Sequence, residues 1–181
     1  MELMVTIAIA GILLGVAIPS FTSIISSNRL TTYANELVTA LNFARSEAIK
    51  RGQPVTIKRI SNTSGDWAGG WTIFTDLNGN GALDVANGDT LLRTYDPLPT
   101  SFTLRGTYMD YIAYQALGTS GNGSFIVCDN SDNNNKPEAN TSRLIIVYIG
   151  RVRMGLDANN DGIPNTNSTA TATSNITSCI P

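Results

Sequence analysis

Arg151 and Arg153 are the residues whose type and spacing most directly suggest chemistry, since Val152 alone separates two guanidinium groups. In an extended segment alternate side chains leave the same face, so both arginines would point in one direction. Two planar cations side by side can bind successive phosphates of double-stranded DNA, with an affinity that falls as salt rises. Arginines on a strand edge can also oppose strand pairing or contact neighbouring subunits. The spacing fits either interpretation.

Further cations could widen such a patch, but the overall charge does not favour it. The candidates are Arg143, Lys58 and Arg59, with Lys50 and Arg51 as more distant additions. The formal net charge is -2 and charged residues make up 14% of the chain, so the whole molecule offers no strong field for a polyanion. Asp157 and Asp161 also follow closely after the arginine pair. Any DNA binding must therefore come from a local patch.

Two runs rich in Asp and Asn have the spacing of calcium loops. Oxygen-bearing side chains occupy loop positions 1, 3, 5 and 9, with glycine at position 6. These residues are Asp76, Asn78, Asn80 and Asp84 in the first run and Asp157, Asn159, Asp161 and Asn165 in the second. The glutamate expected at position 12 is replaced by Asn87 and Ser168. The sequence thus allows weak Ca²⁺ sites or simple hydrogen-bonded turns, and no cofactor is required.

The composition removes most enzyme classes. Histidine is absent, which excludes a Ser/His/Asp triad and the commonest general base and zinc ligand. The chain also lacks a Ser-x-x-Lys run and a glycine-rich phosphate loop after a strand. We therefore predict a protein that is not an enzyme and has no small-molecule substrate.

The two cysteines, Cys128 and Cys179, have neither a CxxC nor a metal-ligand spacing. If the domain lies outside the cytoplasm, oxidation to a disulfide is favoured there. Such a bond would hold the C-terminal tail to the domain. Two unpaired thiols are the alternative.

The elements that must position these residues begin with a long helix. Residues 3–18 are apolar except for Thr6, so we predict that residues 1–20 form a transmembrane half, slightly short of the ~20 residues of a free-standing span. Pro19 should kink or locally melt the helix. Residues 21–51 form an amphipathic half, with an apolar stripe from Leu30 to Ala48 at intervals of three and four. Gly52 and Pro54 end the helix.

After the helix the periodicity is that of strands. We predict short strands at residues 55–60, 70–75, 90–95, 101–105, 111–115, 124–128 and 143–149, separated by Gly, Asn and Asp. Trp67, Trp71 and Phe74 are expected in the core. The prediction is an α+β fold in which residues 52–154 form one or two antiparallel sheets packed on the amphipathic half of the helix. Residues 155–181, rich in Asn and Thr, should form a loop or tail.

Four matches occur along the chain: the start from Glu2 to Pro19, residues 37–57 (LVTALNFARSEAIKRGQPVTI), the pair of strands at residues 70–74 and 89–93, and Gly150-Arg151-Val152-Arg153. In this order they resemble the type IV pilins and pseudopilins, and within them the FimT/FimU-type minor pilins related to the GspH pseudopilins. The last match is similar to the GRxR element of FimT-type proteins. The resemblance covers nearly the whole chain and implies a pilin-like fold with a long kinked helix.

The resemblance also implies the residues of assembly. In pilins the glutamate near the start is thought to neutralise the N-terminal amine of an adjacent subunit, which assigns that role to Glu2, with Thr6 and Pro19 as further assembly candidates. A headgroup-exposed Glu2 is the alternative. Family precursors carry a basic leader, a glycine at the peptidase cut and an opening phenylalanine, whereas here Glu2 follows Met1 directly. We therefore expect a start placed late or a trimmed chain.

The function implied by the resemblance is that of a minor pilin of a bacterial type IV pilus. Its partners would be other pilins, and the inner membrane before assembly, with the globular domain in the periplasm and later on the cell surface. A pseudopilin of type II secretion would have the same fold. FimT-type proteins with the GRxR element have been implicated in DNA uptake, so a DNA-binding minor pilin of natural transformation is a further alternative.

Overall fold

The long helix is the largest element of the fold. In the computed structural model, which describes residues 2–166 and 174–179, α1 runs from Glu2 to Arg51. Lys50 and Arg51 occupy its last turn and Gly52 follows with a φ of 64°, so the predicted end of the helix is confirmed. The backbone stays helical through Pro19, and local melting is therefore not observed. The kink stays a prediction.

The predicted apolar stripe of α1 packs on the domain. Its fully buried members are Leu30, Ala34, Leu37, Ala40, Leu41, Ala44 and Ala48. Tyr33 and Val38 are partly buried against the same core. The small alanines allow the helix backbone to come close to the strands beneath it. The 3.6-residue periodicity thus identified the face that binds the domain.

In the part of the chain that the structure describes, eight strands form two antiparallel four-stranded sheets. The strands are β1 (Val55–Arg59), β2 (Trp71–Thr75), β3 (Leu91–Tyr95), β4 (Phe102–Gly106), β5 (Tyr111–Tyr114), β6 (Gly123–Asp129), β7 (Ser142–Tyr148) and β8 (Arg151–Met154). The first sheet has the order β3-β2-β1-β5 and the second the order β4-β6-β7-β8. A short 3₁₀ helix, Val85–Asn87, lies between β2 and β3. The α+β prediction is confirmed, and β8 adds a strand to the seven predicted.

The core lies between α1 and the inner faces of both sheets. The fully buried residues from the first sheet include Val55 and Ile57, and those from the second include Leu104 and Phe125. Trp67 packs edge-on against Phe125 with ring centroids 5.0 Å apart. Trp67, Trp71 and Phe74 are all buried, as the sequence predicted.

The second sheet has an outer face turned away from α1, and the tail covers one half of it. Cys128, Ser142 and Leu144 are buried outward-facing residues of this covered half. The disulfide joins Cys128 to Cys179, and the backbone of Gly155 lies against Leu144. The predicted disulfide is thus confirmed, and it holds residues 174–179 on the domain.

Candidate functional site

The N-terminal half of α1 presents apolar side chains that nothing in the described part of the chain covers. At least half of the surface of each of Leu3, Met4, Val5, Ile7, Ile9, Ile12, Leu13, Phe21, Ile24 and Ile25 is exposed. Ten such residues on one element far exceed the scattered exposed apolar residues of an ordinary monomer. We therefore expect this apolar surface to be covered either by lipid or by the helices of other proteins.

The predicted assembly residues lie on this part of α1. Thr6 is exposed and its hydroxyl donates a hydrogen bond to the Leu3 carbonyl at 2.8 Å. Glu2 and Pro19 belong to the helix, but their side chains lie outside the described part of the structure. Among the described residues, no helix combines the length and apolar character that crossing a membrane requires. The assembly roles stay predictions.

The arginine pair lies on a tight hairpin between β7 and β8. Tyr148 pairs with Arg151, so the turn consists of Ile149 and Gly150, whose φ angles are 49° and 78°. Positive φ at both positions is the geometry of the two-residue turns that match strand twist. A Cβ on Gly150 would lie 2.2 Å from the carbonyl oxygen of Gly118, so this position requires glycine for space as well as conformation.

Neighbouring groups hold the turn in place. The amide of Ile149 donates to Oδ1 of Asn122 at 2.7 Å, and Nε of Arg45 on α1 donates to the Gly118 carbonyl at 3.0 Å. The hydroxyl of Tyr108 donates to the Gly121 carbonyl at 2.6 Å. Burial raises the pKa of Tyr108 to about 12, so this hydroxyl keeps the proton that it donates. The hairpin tip is therefore fixed to both the helix and the loop that precedes β6.

Arg151 and Arg153 share the outer face of β8, which is an edge strand. Val152 between them packs against the core, while both arginines are exposed, so the alternation expected for an extended segment is confirmed. The cross-strand partners of the two arginines are Tyr148 and Ile146. A shallow groove is lined by Tyr148, Arg151 and Arg153. Within the described residues neither arginine side chain forms an ion pair or hydrogen bond.

Arg143, the third predicted arginine, has a structural contact instead. It extends from the inner face of β7, where Nη2 donates to the hydroxyls of Ser27 at 3.2 Å and Thr31 at 3.4 Å on α1. Nη1 donates to the Ser142 carbonyl at 2.8 Å. Burial lowers the pKa of Arg143. This side chain holds the helix to the second sheet and lies on the opposite face from the arginine pair.

The remaining predicted cations lie on the first sheet or at the end of α1. Lys58 and Arg59 on β1 pair with Asp110 at 3.5 and 3.1 Å. Lys50 and Arg51, in the last turn of α1, pair with Glu47 at 3.4 and 2.7 Å. The structure thus brings Arg151 and Arg153 together and leaves the other predicted cations in separate contacts.

The first Asp/Asn run is a loop organised by its own carboxylates. Oδ2 of the fully buried Asp76 accepts hydrogen bonds from the Thr56 hydroxyl at 2.8 Å and the Gly81 amide at 2.9 Å. Oδ1 accepts from the Asn80 amide at 3.0 Å. Oδ2 of Asp84 accepts from the side-chain amides of Asn78 and Asn80. These bonds fit a simple hydrogen-bonded turn, which is the alternative to a calcium site.

The second run joins the domain to the tail. Asp157 accepts from the Gly162 amide at 2.8 Å, and the buried Asn165 accepts from the Ala158 amide at 2.6 Å. The Asn175 amide donates to Asp161 and holds the pKa of that carboxyl below its ordinary value. The exposed side-chain amide of Asn159 also donates to Asp161. In residues 2–166 and 174–179, no group of three or more His, Cys, Asp or Glu side chains is arranged to hold a metal ion.

Tyr148 is a residue of this surface that was not predicted from the sequence. Its position directly before a two-residue turn is the signal that identifies it, since such a residue must pair with Arg151 across the hairpin. The contact of Ser26 on α1, which donates to Asp129 at the end of β6, was not predicted for a different reason. That contact joins residues far apart in the chain and has no local signal.

A long helix packed on two antiparallel sheets is the architecture of a pilin. The fold matches the crystal structure of the type IV minor pilin FimU of Pseudomonas aeruginosa in space group P21 with a TM-score of 0.57, at 22% identity, over 71% of this chain and 90% of FimU. The crystal form in space group P65 gives 0.53 at 21% identity, over 70% of this chain and 92% of FimU. At this identity the likeness establishes the fold.

Residues 33–148 match the profile of the family described as type II transport protein GspH, and the chain belongs to this family. It is also 36% identical over 86 residues to the pilin-like protein PilA1 of Thermus thermophilus, which covers 46% of this chain and 50% of PilA1. The chain therefore spans about half the length of that curated relative. The family match includes the buried stripe of α1 from Ala34 to Ala48 and strands β1 to β7.

Proposed function

We propose that this protein is a minor pilin, a low-abundance subunit of a bacterial type IV pilus that is assembled through the N-terminal half of α1. The observation that carries the proposal is the row of ten exposed apolar residues on that half. The domain packs against the other half of the same helix, through Leu30 to Ala48. The C-terminal half of α1 thus packs on its own domain, and the N-terminal half is left to contact partners.

The exposed half would contact the inner membrane before assembly and the helices of other pilins afterwards. Both environments replace water on the same apolar surface. Burying each large apolar side chain in this way stabilises the association by about 1.5–3 kcal/mol relative to leaving it in water. The domain would lie in the periplasm, where the Cys128–Cys179 disulfide forms readily. Residues 1–20 would be the membrane half and residues 21–51 the amphipathic half of the helix, followed by the sheet domain at 52–154.

The test is incorporation into filaments. Ile12→Ser and Leu13→Ser place polar groups on the exposed apolar surface without touching the domain core. We expect both variants to form the disulfide and to be absent from filaments sheared from the cells, as measured by immunoblot. Leu117→Ser, at the most exposed large apolar residue of the domain, is the matched control and should be incorporated normally. Normal incorporation of the helix variants would refute the proposal.

A pseudopilin of type II secretion is the alternative within the same class. The match to the family of type II transport protein GspH supports this alternative. Deletion of the gene in its native bacterium separates the two roles. Loss of surface pili with normal protein secretion supports the minor pilin. Accumulation of secreted enzymes in the periplasm with normal pili supports the pseudopilin.

A second role, the binding of DNA, is supported by the arginine hairpin. Arg151 and Arg153 lie on one exposed face and lack carboxylate partners among the described residues, so both guanidinium groups are available to phosphates. The affinity of the detergent-solubilised protein for DNA should fall when Arg151 and Arg153 are both changed to alanine. The Arg29→Ala, Lys136→Ala variant removes the same charge from exposed positions that do not belong to the predicted patch and should bind normally. Equal binding by the arginine variant and the native chain would dismiss this role.

A further inference from the structure

Tyr148 is an exposed aromatic residue without a ring partner in the described part of the chain. The residue is 57% exposed, and none of the ring pairs or cation–π contacts of the described residues includes it. Tyr33, Trp71, Tyr95 and Tyr108, by contrast, all pack against other rings. An aromatic face left in water beside two cations is an arrangement that can bind a planar ligand.

The outer face around Tyr148 is open because of where the tail is attached. The disulfide at Cys128 and the backbone of Gly155 cover the half of the face that contains Leu144. The other half keeps Tyr148 and the half-buried Ile146 accessible, with Arg151 and Arg153 directly opposite on the edge strand. Ile146 and Tyr148 on β7 form an apolar surface, and Arg151 and Arg153 on β8 place two cations along its edge.

Such a surface distinguishes single strands from duplexes. The arginines can bind phosphates of either, but Tyr148 can stack only on a base whose face is free, which a base inside a duplex does not offer. We infer that the open half of the outer face, formed by Tyr148, Arg151 and Arg153, binds single-stranded DNA, with Tyr148 as the stacking residue. This inference rests on the DNA-binding role proposed above and names the form of DNA that the site prefers.

Fluorescence anisotropy with the full chain in detergent tests it, using a labelled oligothymidylate and a labelled duplex of the same length. Tyr148→Ala should weaken binding to the single strand by roughly tenfold, the effect of losing one stacked base, and leave duplex binding unchanged. Tyr148→Phe keeps the ring and should restore single-strand binding. Leu117→Ala removes an exposed apolar group from a loop outside this surface and serves as the control.

Salt dependence separates stacking from phosphate contact. Replacing Arg151 and Arg153 with alanine should reduce the slope of log affinity against log salt by about 1.4 for the single strand, whereas Tyr148→Ala should leave it unchanged. An equal effect of Tyr148→Ala on both probes, no effect on either, or a native preference for duplex overturns the inference while the arginine role survives. Failure of the native protein to bind either probe overturns both.

Discussion

Breaking the Cys128–Cys179 bond should destabilise the domain by an amount that the structure predicts. The bond closes a loop with a sequence separation of 51 residues. In the chain-entropy model a loop of this length restricts the unfolded chain by about 14 cal/mol/K, which corresponds to about 4 kcal/mol at 25 °C. Both cysteines are fully buried, so the Cys128→Ala, Cys179→Ala variant keeps the site apolar. We expect its free energy of unfolding to fall by about that amount.

Urea unfolding followed by the fluorescence of the two buried tryptophans, Trp67 and Trp71, measures this change. A reductant should lower the stability of the native protein to that of the double variant and should not affect the variant itself. Hydrogen exchange gives a local measurement, because the amides of Ile176 and Cys179 donate to the carbonyls of Pro164 and Asn135 and should lose protection. A loss of less than about 1 kcal/mol on reduction would refute the reasoning.

Three further changes test other parts of the fold. Leu41→Ala, in the buried stripe of α1, should cost about 3–5 kcal/mol in urea unfolding. Gly150→Ala should cost about 1–3 kcal/mol, because alanine meets both a positive φ and a carbonyl, whereas Gly121→Ala has open space and should be neutral. The hydrogen bond from Arg51 holds the pKa of Glu47 below its ordinary 4.5. The ionised Glu47 therefore stabilises the folded state above about pH 4.5, and this contribution is lost as the pH falls through the lowered pKa. In Glu47→Gln the free energy of unfolding should consequently depend less on pH in the acid range.

Each of these changes has a contradicting outcome. A neutral Leu41→Ala would mean that the stripe is not packed as described. Equal stability of the two glycine variants would remove the steric argument for the hairpin. If Glu47→Gln and the native chain lose stability in parallel on acidification, the ion pair at the end of α1 contributes nothing measurable.

The sequence predicted the helix and its buried face well, because both depend on local periodicity. Leu30 to Ala48 repeat at intervals of three and four, and the strands from Val55 onward are rich in β-branched residues. The division into two sheets was not predictable in this way. It depends on β1 pairing with both β2 and β5, and on β4 pairing with β6 instead of β5, its neighbour in the chain. These pairings are set by long-range packing.

The site was predicted in part for a similar reason. The spacing of Arg151 and Arg153 was sufficient to place them on one face, since alternation is a local property of strands. The sequence grouped Arg143 with them because charge alone does not distinguish the two faces of β7. Tyr148 was not predicted, because its role depends on pairing with Arg151 across the hairpin and the residue itself looks like any other at the end of a strand.

The register of β7 connects the fold to the proposed site. Its inward residues, Arg143, Ile145 and Val147, contact α1 or the core, while its outward residues Ile146 and Tyr148 face β8's arginines. A shift of one residue would exchange these sets, burying the Tyr148 side and exposing the Arg143 side. The contact of Arg143 with Ser27 and Thr31 on α1 therefore also fixes which side chains reach the outer face. Anchoring of the helix and presentation of the arginine hairpin depend on the same register.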